Sequence, residues 1–279
     1  MTESLELDAE PVSPAKPVLA LSRPTEPVGY EVVSQVAYLT MQERPHNFLG
    51  VDLINGLIEG AQRAVRDGAR AVVVRSGLRN FCAGADVKLF DTAYEGRAPA
   101  MDLTEFLNAF DQLPLPIVAS VHGVCVGGGL EVALACDLFI AAESARIGSV
   151  EATIGVNPLM GAMQRVTQRA GATRAKEMAL LARRYDARTL ERWNLINRVV
   201  PDEQLADVTR TIAEELARGP TLVHASSKAI ISLAASEGVR EADRRMAELQ
   251  EPIWSSTDIR VGLESLAANG PGAAKFEGK

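Results

Sequence analysis

Short β-branched runs recur along the first two-thirds of the chain, each set off by segments of helical period. They are AVVVRS at 71–76, IVASV at 117–121 and DLFIAA at 137–142. A strand buried on both faces reads as a continuous apolar run, and helices crossing over a largely parallel sheet provide that burial. The stretch YEVVSQVAYL (30–39) reads as a further strand. Residues 51–67 place Leu53, Ile54, Leu57, Ile58, Ala61 and Val65 on one helical face. A helix over about 101–112 is stopped by the prolines of Leu113-Pro114-Leu115-Pro116. After Pro201 the strands cease: 203–217, 221–236, 239–253 and 257–268 read as helices, broken at Gly219-Pro220, Gly238 and Pro252. The expectation is an α/β core with a helical C-terminal third, the boundary falling near residue 200. No internal sequence repeat is found.

Residues 1–28 stand apart. They hold Pro11, Pro14, Pro17, Pro24 and Pro27, and five acidic residues against Lys16 and Arg23, the composition of a disordered or extended arm. A formal net charge of −7 argues against nucleic acid as a partner. No apolar run approaches the roughly 20 residues of a membrane span, and the N-terminus lacks a signal-peptide pattern. Three cysteines, Cys82, Cys125 and Cys136, include no CxxC pair and sit in apolar surroundings, as buried free thiols of a reducing cytosol do. The expectation is a soluble, cytoplasmic protein.

Two glycine-bearing turns carry the chemistry. NFCAGADVK (80–88) and VCVGGGLEV (124–132) each follow a buried strand and lead into a helix. A helix N-terminus has unpaired N–H groups and partial positive charge, and glycines before it admit a close neighbour. One such turn is a common tight turn. Two on neighbouring parallel strands can aim two N–H groups at one oxygen, the design of an oxyanion hole. Other glycine motifs do not fit: there is no GxxxxGK[ST], no GxGxxG because position 132 is Val, and no GxSxG. With only His46, His122 and His224 and no HExxH, a metal centre is disfavoured.

Glu131 lies three residues beyond Gly128, inside the first helical turn, and Glu151 follows in RIGSVEATIGVNP. Singly, Glu131 reads as a charge paired with the helix dipole and Glu151 as a solvated loop charge. Beside two glycine turns, the pair supports proton transfer at a carbon next to a bound carbonyl, help worth about 10²–10⁴-fold.

NFCAGADVK, with PIVASVHGVCVGGGLEVALACDLFIAAESARIGSVEATIGVNP, strongly resembles the crotonase (enoyl-CoA hydratase/isomerase) superfamily. The resemblance extends more loosely from about residue 30 to the terminal AAKFEGK. It implies a spiral of ββα units (29–200) and a C-terminal helical region (201–279) that builds a homotrimer, often paired into a hexamer. By resemblance, the N–H groups of Ala85 and Gly128 form the oxyanion hole for an acyl-CoA thioester. Glu131 and Glu151 match the two catalytic glutamates of family hydratases, one orienting water and the other exchanging a proton at C2. Arg79 and Lys88 match cations set against CoA phosphates, and the backbone of Ala83, Asp86 and Val87 matches the part that grips the adenine. Lys275 matches a cation that reaches a neighbour's CoA. No cofactor is implied, since CoA is part of the substrate.

This chain departs from the pattern in places. Pro158 is followed by Leu159-Met160-Gly161-Ala162 rather than a glycine-rich turn, Val150 stands where a proline often precedes the glutamate, and Leu89 replaces a frequent acidic residue. The larger side chains alter the wall of the acyl pocket. His122 reads as a turn residue, and Trp193 and Trp254 as packing anchors. The leading reading is a hydratase acting on a 2-enoyl-CoA. Its alternatives are an enoyl-CoA isomerase working with one carboxylate, and a non-catalytic acyl-CoA-binding protein.

Overall fold

The structure, a computed structural model, describes residues 26–97 and 104–279. The proposed arm lies almost wholly outside the described residues, and Val28 already begins the first strand. Strands β1 (Val28–Val33) and β2 (Val36–Met41) form a hairpin, paired Val33↔Val36 at its tip. The single strand expected over 30–39 is therefore two. Ser34 and Gln35 both take positive φ, 51° and 62°, the two-residue turn that matches strand twist, without the glycine or asparagine that usually signals it.

Helix α1 (Val51–Arg66) leads to β3 (Ala71–Ser76), and a 3₁₀ segment at Val87–Glu95 precedes α2 (Thr104–Asp111). Then come β4 (Ile117–Val121), β5 (Val124–Val126), α3 (Gly128–Ala135), β6 (Leu138–Ala142) and β7 (Arg146–Gly148). A 3₁₀ turn at Glu151–Ile154 leads to α4 (Ala162–Leu181), β8 (Tyr185–Asp186), α5 (Ala187–Arg192) and β9 (Arg198–Val200). Four helices follow: α6 (Leu205–Arg218), α7 (Thr221–Glu237), α8 (Val239–Trp254) and α9 (Thr257–Asn269). Pro252 does not break α8 as expected. It sits in the last turn, and the helix runs two residues past it.

The main sheet has the order β1-β2-β3-β4-β6-β9, parallel except for the β1–β2 hairpin. Its strands alternate strictly. Leu39, Val72, Val74, Ile117, Ala119 and Phe139 face a core shared with α1, α2 and α3. Tyr38, Ala71, Val73, Val118 and Ile140 face Leu205, Ala213 and Ala217 of α6. Burial on both faces explains the unbroken apolar runs.

From the carboxyl end of each inner strand the chain passes into a second, thinner layer. β5 and β7 pair in parallel there, and β8 joins antiparallel. Bridges Cys82↔Cys125 and Leu49↔Ala85 extend the layer through the segments that follow β3 and β2. Each turn thus adds one strand to the sheet and one short segment to the second layer, a spiral of ββα units. Asn47, fully buried, stitches the layers together: its Nδ2 donates to Ser76 Oγ (2.8 Å) and Phe81 O (2.9 Å).

The C-terminal helices are tied back to this core. Lys228 of α7 donates to Asp137 Oδ2 (2.9 Å) and Phe110 O (3.0 Å). Arg70, buried before β3, donates to Thr221 Oγ1 and the carbonyls of Phe276 and Gly219.

Candidate active site

At the carboxyl ends of the parallel strands, where open α/β sheets bind ligands, the segments that follow β2 and β3, the start of α3 and the stretch from Val150 to Met160 enclose a cavity of about 270 Å³. Ala85, Gly128, Glu131 and Glu151 all line it. The four residues are thus brought to one place from three turns of the spiral.

Helix α3 starts without a side-chain cap. Gly127 takes φ 56° and ψ −127°, a region that L side chains rarely enter. Glu131 N–H donates to Gly127 O (3.1 Å), the first bond of the helix, so the Gly128 N–H precedes the ladder and has no partner within it. Ala85 reaches the same condition by another route. In its bridge, Leu49 donates to Gly84 O (2.8 Å) and accepts from Asp86 N–H (3.0 Å), so the strand pairing passes over Ala85's own N–H. Among the described residues no hydrogen bond takes up either N–H. A Cβ built on Gly128 would stand 3.8 Å from Ala85 N, so the two donors are neighbours.

Gly129 serves packing. A Cβ there would lie 2.7 Å from both Cβ and O of Cys82, so only glycine lets α3 press against the 81–83 segment. All eight residues of α3 are buried.

Glu131 is 3% exposed. Its Oε1 accepts from Met160 N–H (2.5 Å) and, more weakly, from Ala162 N–H (3.3 Å) at the start of α4. Burial pushes its carboxyl up to about 7, opposed by the Met160 N–H and reinforced by the Glu151 charge. Near neutral pH it can therefore hold or release a proton. Glu151 opens the 3₁₀ turn after β7 and accepts from Ser149 Oγ at its Oε2 (2.6 Å), while its Oε1 is buried with no hydrogen-bond partner among the described residues. That oxygen faces Gly127, 3.6 Å from where a Cβ would stand.

The rest of the wall is mainly apolar, including Phe48, Leu89, Phe90, Ile154, Leu159 and Met160, with Thr153 and Asn157 as polar members. The departures noted in the sequence, Leu89, Val150 and Leu159-Met160, thus all reach the cavity. Ala83 and Val87 line it too, whereas Asp86, Arg79 and Lys88 do not. Arg79 and Lys88 are exposed, and the Lys88 N–H donates to Asp86 Oδ1 (3.0 Å). The N–H groups of Ala83 and Asp86 are committed to His46 O and Leu49 O, so Ala83 can offer a ligand only its carbonyl. Lys275 is exposed, and its neighbour Phe276 is bonded to Arg70 before β3. That is the amino end of the strand, opposite to this chain's own cavity.

Ser149 and the Met160 amide were not singled out from the sequence. Neither carries a local signal: each acquires its role only when β7 and α4 are placed beside the glutamates. Phe48 and Leu49 were missed likewise, in a loop without periodicity. His122 is a turn residue as expected, its Nε2 2.7 Å from Leu78 O. Trp193 packs at a tilt against Tyr185 with centroids 4.8 Å apart, but Trp254 is 68% exposed at the end of α8 and anchors no core. The three cysteines are buried thiols.

A model of the enoyl-CoA hydratase/isomerase family matches residues 31–273. A curated relative from Rhodobacter capsulatus, named "probable enoyl-CoA hydratase", is 33% identical over 250 residues, 88% of this chain and 96% of its own. A carnitinyl-CoA dehydratase from Proteus mirabilis is 34% identical over 184 residues, 63% of this chain and 68% of its own. The crystal structure of an enoyl-CoA hydratase from Bacillus anthracis superposes with a TM-score of 0.80 at 26% identity, covering 91% of this chain and all of that one.

Proposed function

The chain belongs to the enoyl-CoA hydratase/isomerase family, and we propose that it adds water across the C2=C3 double bond of a 2-enoyl-CoA, giving a 3-hydroxyacyl-CoA. The observation that carries this reading is the meeting, in one cavity of about 270 Å³, of two carboxylates and two N–H groups that no hydrogen bond takes up among the described residues.

In the mechanism, the thioester oxygen sits between the N–H groups of Ala85 and Gly128, which stabilise it as it gains charge. Glu131 takes a proton from a water held between the carboxylates, and the water oxygen bonds to C3. The C2=C3 electron pair moves toward the thioester, forming an enolate. The proton taken from the water passes from Glu131 to Glu151, which delivers it to C2 through its unpartnered Oε1, and the carbonyl then reforms. The one water thus supplies both the hydroxyl and the hydrogen, and each carboxyl ends as it began. The carboxyl of Glu131, held near 7, is suited to proton transfer at neutral pH. CoA arrives with the substrate and no further cofactor enters. Val87 and the Ala83 carbonyl are assigned to the CoA moiety as part of the cavity lining. Arg79, Asp86 and Lys88, which stand outside that lining, are assigned to it by family resemblance and their place in the same segment after β3. The apolar wall supports an uncharged acyl group.

The wider reading comprises an arm (1–28), the core (29–200) and an oligomerisation region (201–279), with copies joined as a trimer or hexamer. Exposed Ile231, Val239, Met246, Trp254 and Leu263 on α7–α9 support it, while α6 closes the sheet within the protomer. Among the described residues no helix is long and apolar enough to cross a membrane. The buried thiols fit a cytoplasmic setting.

The test is loss of the conjugated enoyl-thioester absorbance over a panel of acyl chains. Turnover with a 3-hydroxyacyl product supports the reading, and no turnover with any chain refutes it.

A further inference from the structure

Ser149 is 2% exposed and does not line the cavity, yet its hydroxyl makes a 2.6 Å hydrogen bond to Glu151 Oε2. A carboxylate has two oxygens, and this bond removes one of them from play. The other, Oε1, is buried without a partner among the described residues and looks across at Gly127. The backbone that carries Ser149 is itself fixed. Gly148 O accepts from the Gly127 N–H (3.0 Å), and a Cβ on Gly148 would meet Arg183 O at 2.2 Å, so the end of β7 is wedged against the chain at 183–184. One short segment therefore holds the residue before the Gly128 donor through Gly148 and the carboxylate through Ser149.

We infer that Ser149 is the positioning residue for Glu151, locking the side chain so that Oε1 alone faces the reacting carbon in register with the oxyanion donors. The inference rests on the reading that Glu151 exchanges the proton at C2. A hydrogen bond from a neutral hydroxyl to a carboxylate is a strong, directional one, and among the described residues the Glu151 carboxylate accepts no other. Without Ser149, both carboxylate oxygens become equivalent and the side chain can rotate away from the Gly127 face. The cost falls on the transition state, where placement matters most, and not on CoA binding, since Ser149 touches no part of the cavity.

The test compares the purified wild-type protein with Ser149→Ala, Ser149→Thr, Glu151→Gln and the double variant Ser149→Ala/Glu151→Gln. Two rates are read: hydration of a 2-enoyl-CoA, and deuterium uptake at C2 of a saturated acyl-CoA in D₂O. Thermal unfolding of each protein is followed in parallel. Ser149→Ala is expected to lower kcat and C2 exchange by about tenfold to a hundredfold, the range for losing a hydrogen bond to a charged group, with KM little changed. Ser149→Thr, which keeps the hydroxyl, restores most of the loss. In the Glu151→Gln background, Ser149→Ala costs nothing more, because a positioning group has nothing left to position. The inference is overturned if Ser149→Ala keeps full kcat, if it raises KM while kcat holds, if Ser149→Thr is as impaired as Ser149→Ala, or if the two losses multiply in the double variant. Should Glu151→Gln itself retain wild-type hydration and exchange, the underlying reading of Glu151 falls as well, an outcome distinct from the others.

Discussion

Replacing Glu131 by Gln removes a charge from a nearly sealed position while keeping the side chain's shape. The carboxyl, ordinarily near 4.5, is pushed up to about 7, chiefly by burial, with the Met160 N–H opposing and Glu151 adding to the rise. Between these two values the folded protein binds a proton that the unfolded chain has released. Stability must therefore fall as pH rises through that window, and the loss is complete above about 7. At about 1.4 kcal/mol per pH unit, the gap corresponds to about 3 kcal/mol. Glu131→Gln cannot ionise and escapes the loss. Its stability relative to wild type should climb by about 3 kcal/mol between pH 4.5 and pH 8, while kcat falls by about 10²–10⁴-fold. Urea unfolding of both proteins over that pH range, at one fixed protein concentration, reads the difference directly, because the other titrating groups largely cancel. A difference that stays flat with pH, or that moves in favour of wild type, would refute the reasoning. It would show that the buried carboxyl is not held up, and with it would go the argument that Glu131 is poised for proton transfer near neutrality.

Other perturbations test the packing and the pocket. Gly129→Ala drives a methyl group into the Cys82 backbone and should destabilise by about 1–3 kcal/mol, seen in the urea midpoint. Lys228→Met leaves Asp137, whose carboxyl burial already raises, without its cation, and should cost about 2–3 kcal/mol. Leu159→Ala trims the cavity wall and should shift the ratio of kcat/KM values toward bulkier acyl chains by about tenfold, measured over the enoyl-CoA panel.

Much of the fold and of the site is legible in the sequence. The runs at 71–76 and 117–121 coincide with β3 and β4, because strands buried on both faces read as near-continuous apolar runs rather than alternating ones. The glycines at 127–129 pointed to the cavity, since a positive φ and a close approach can be met there by little else. Elsewhere the signal was missing or misleading. The β1–β2 turn uses Ser34 and Gln35, which carry no turn signature. Val65 fits the apolar face of α1 by period, yet it is exposed and Ala64 is buried instead, a slip of one position near a helix end. The anchors of the glutamates, Ser149 and the Met160 amide, depend on which segments tertiary structure brings together. A hydroxyl or a backbone N–H in a sequence says nothing of that.

Hydration in ¹⁸O-labelled water, followed by mass spectrometry of the acyl product, tests the central claim most directly. The account predicts one labelled oxygen on C3 of a 3-hydroxyacyl-CoA, formed by the wild-type protein and lost with either Glu131→Gln or Glu151→Gln. A product that carries no label but has its double bond moved, with Glu131→Gln as active as wild type, would contradict it and mark the protein as an isomerase that works with Glu151 alone.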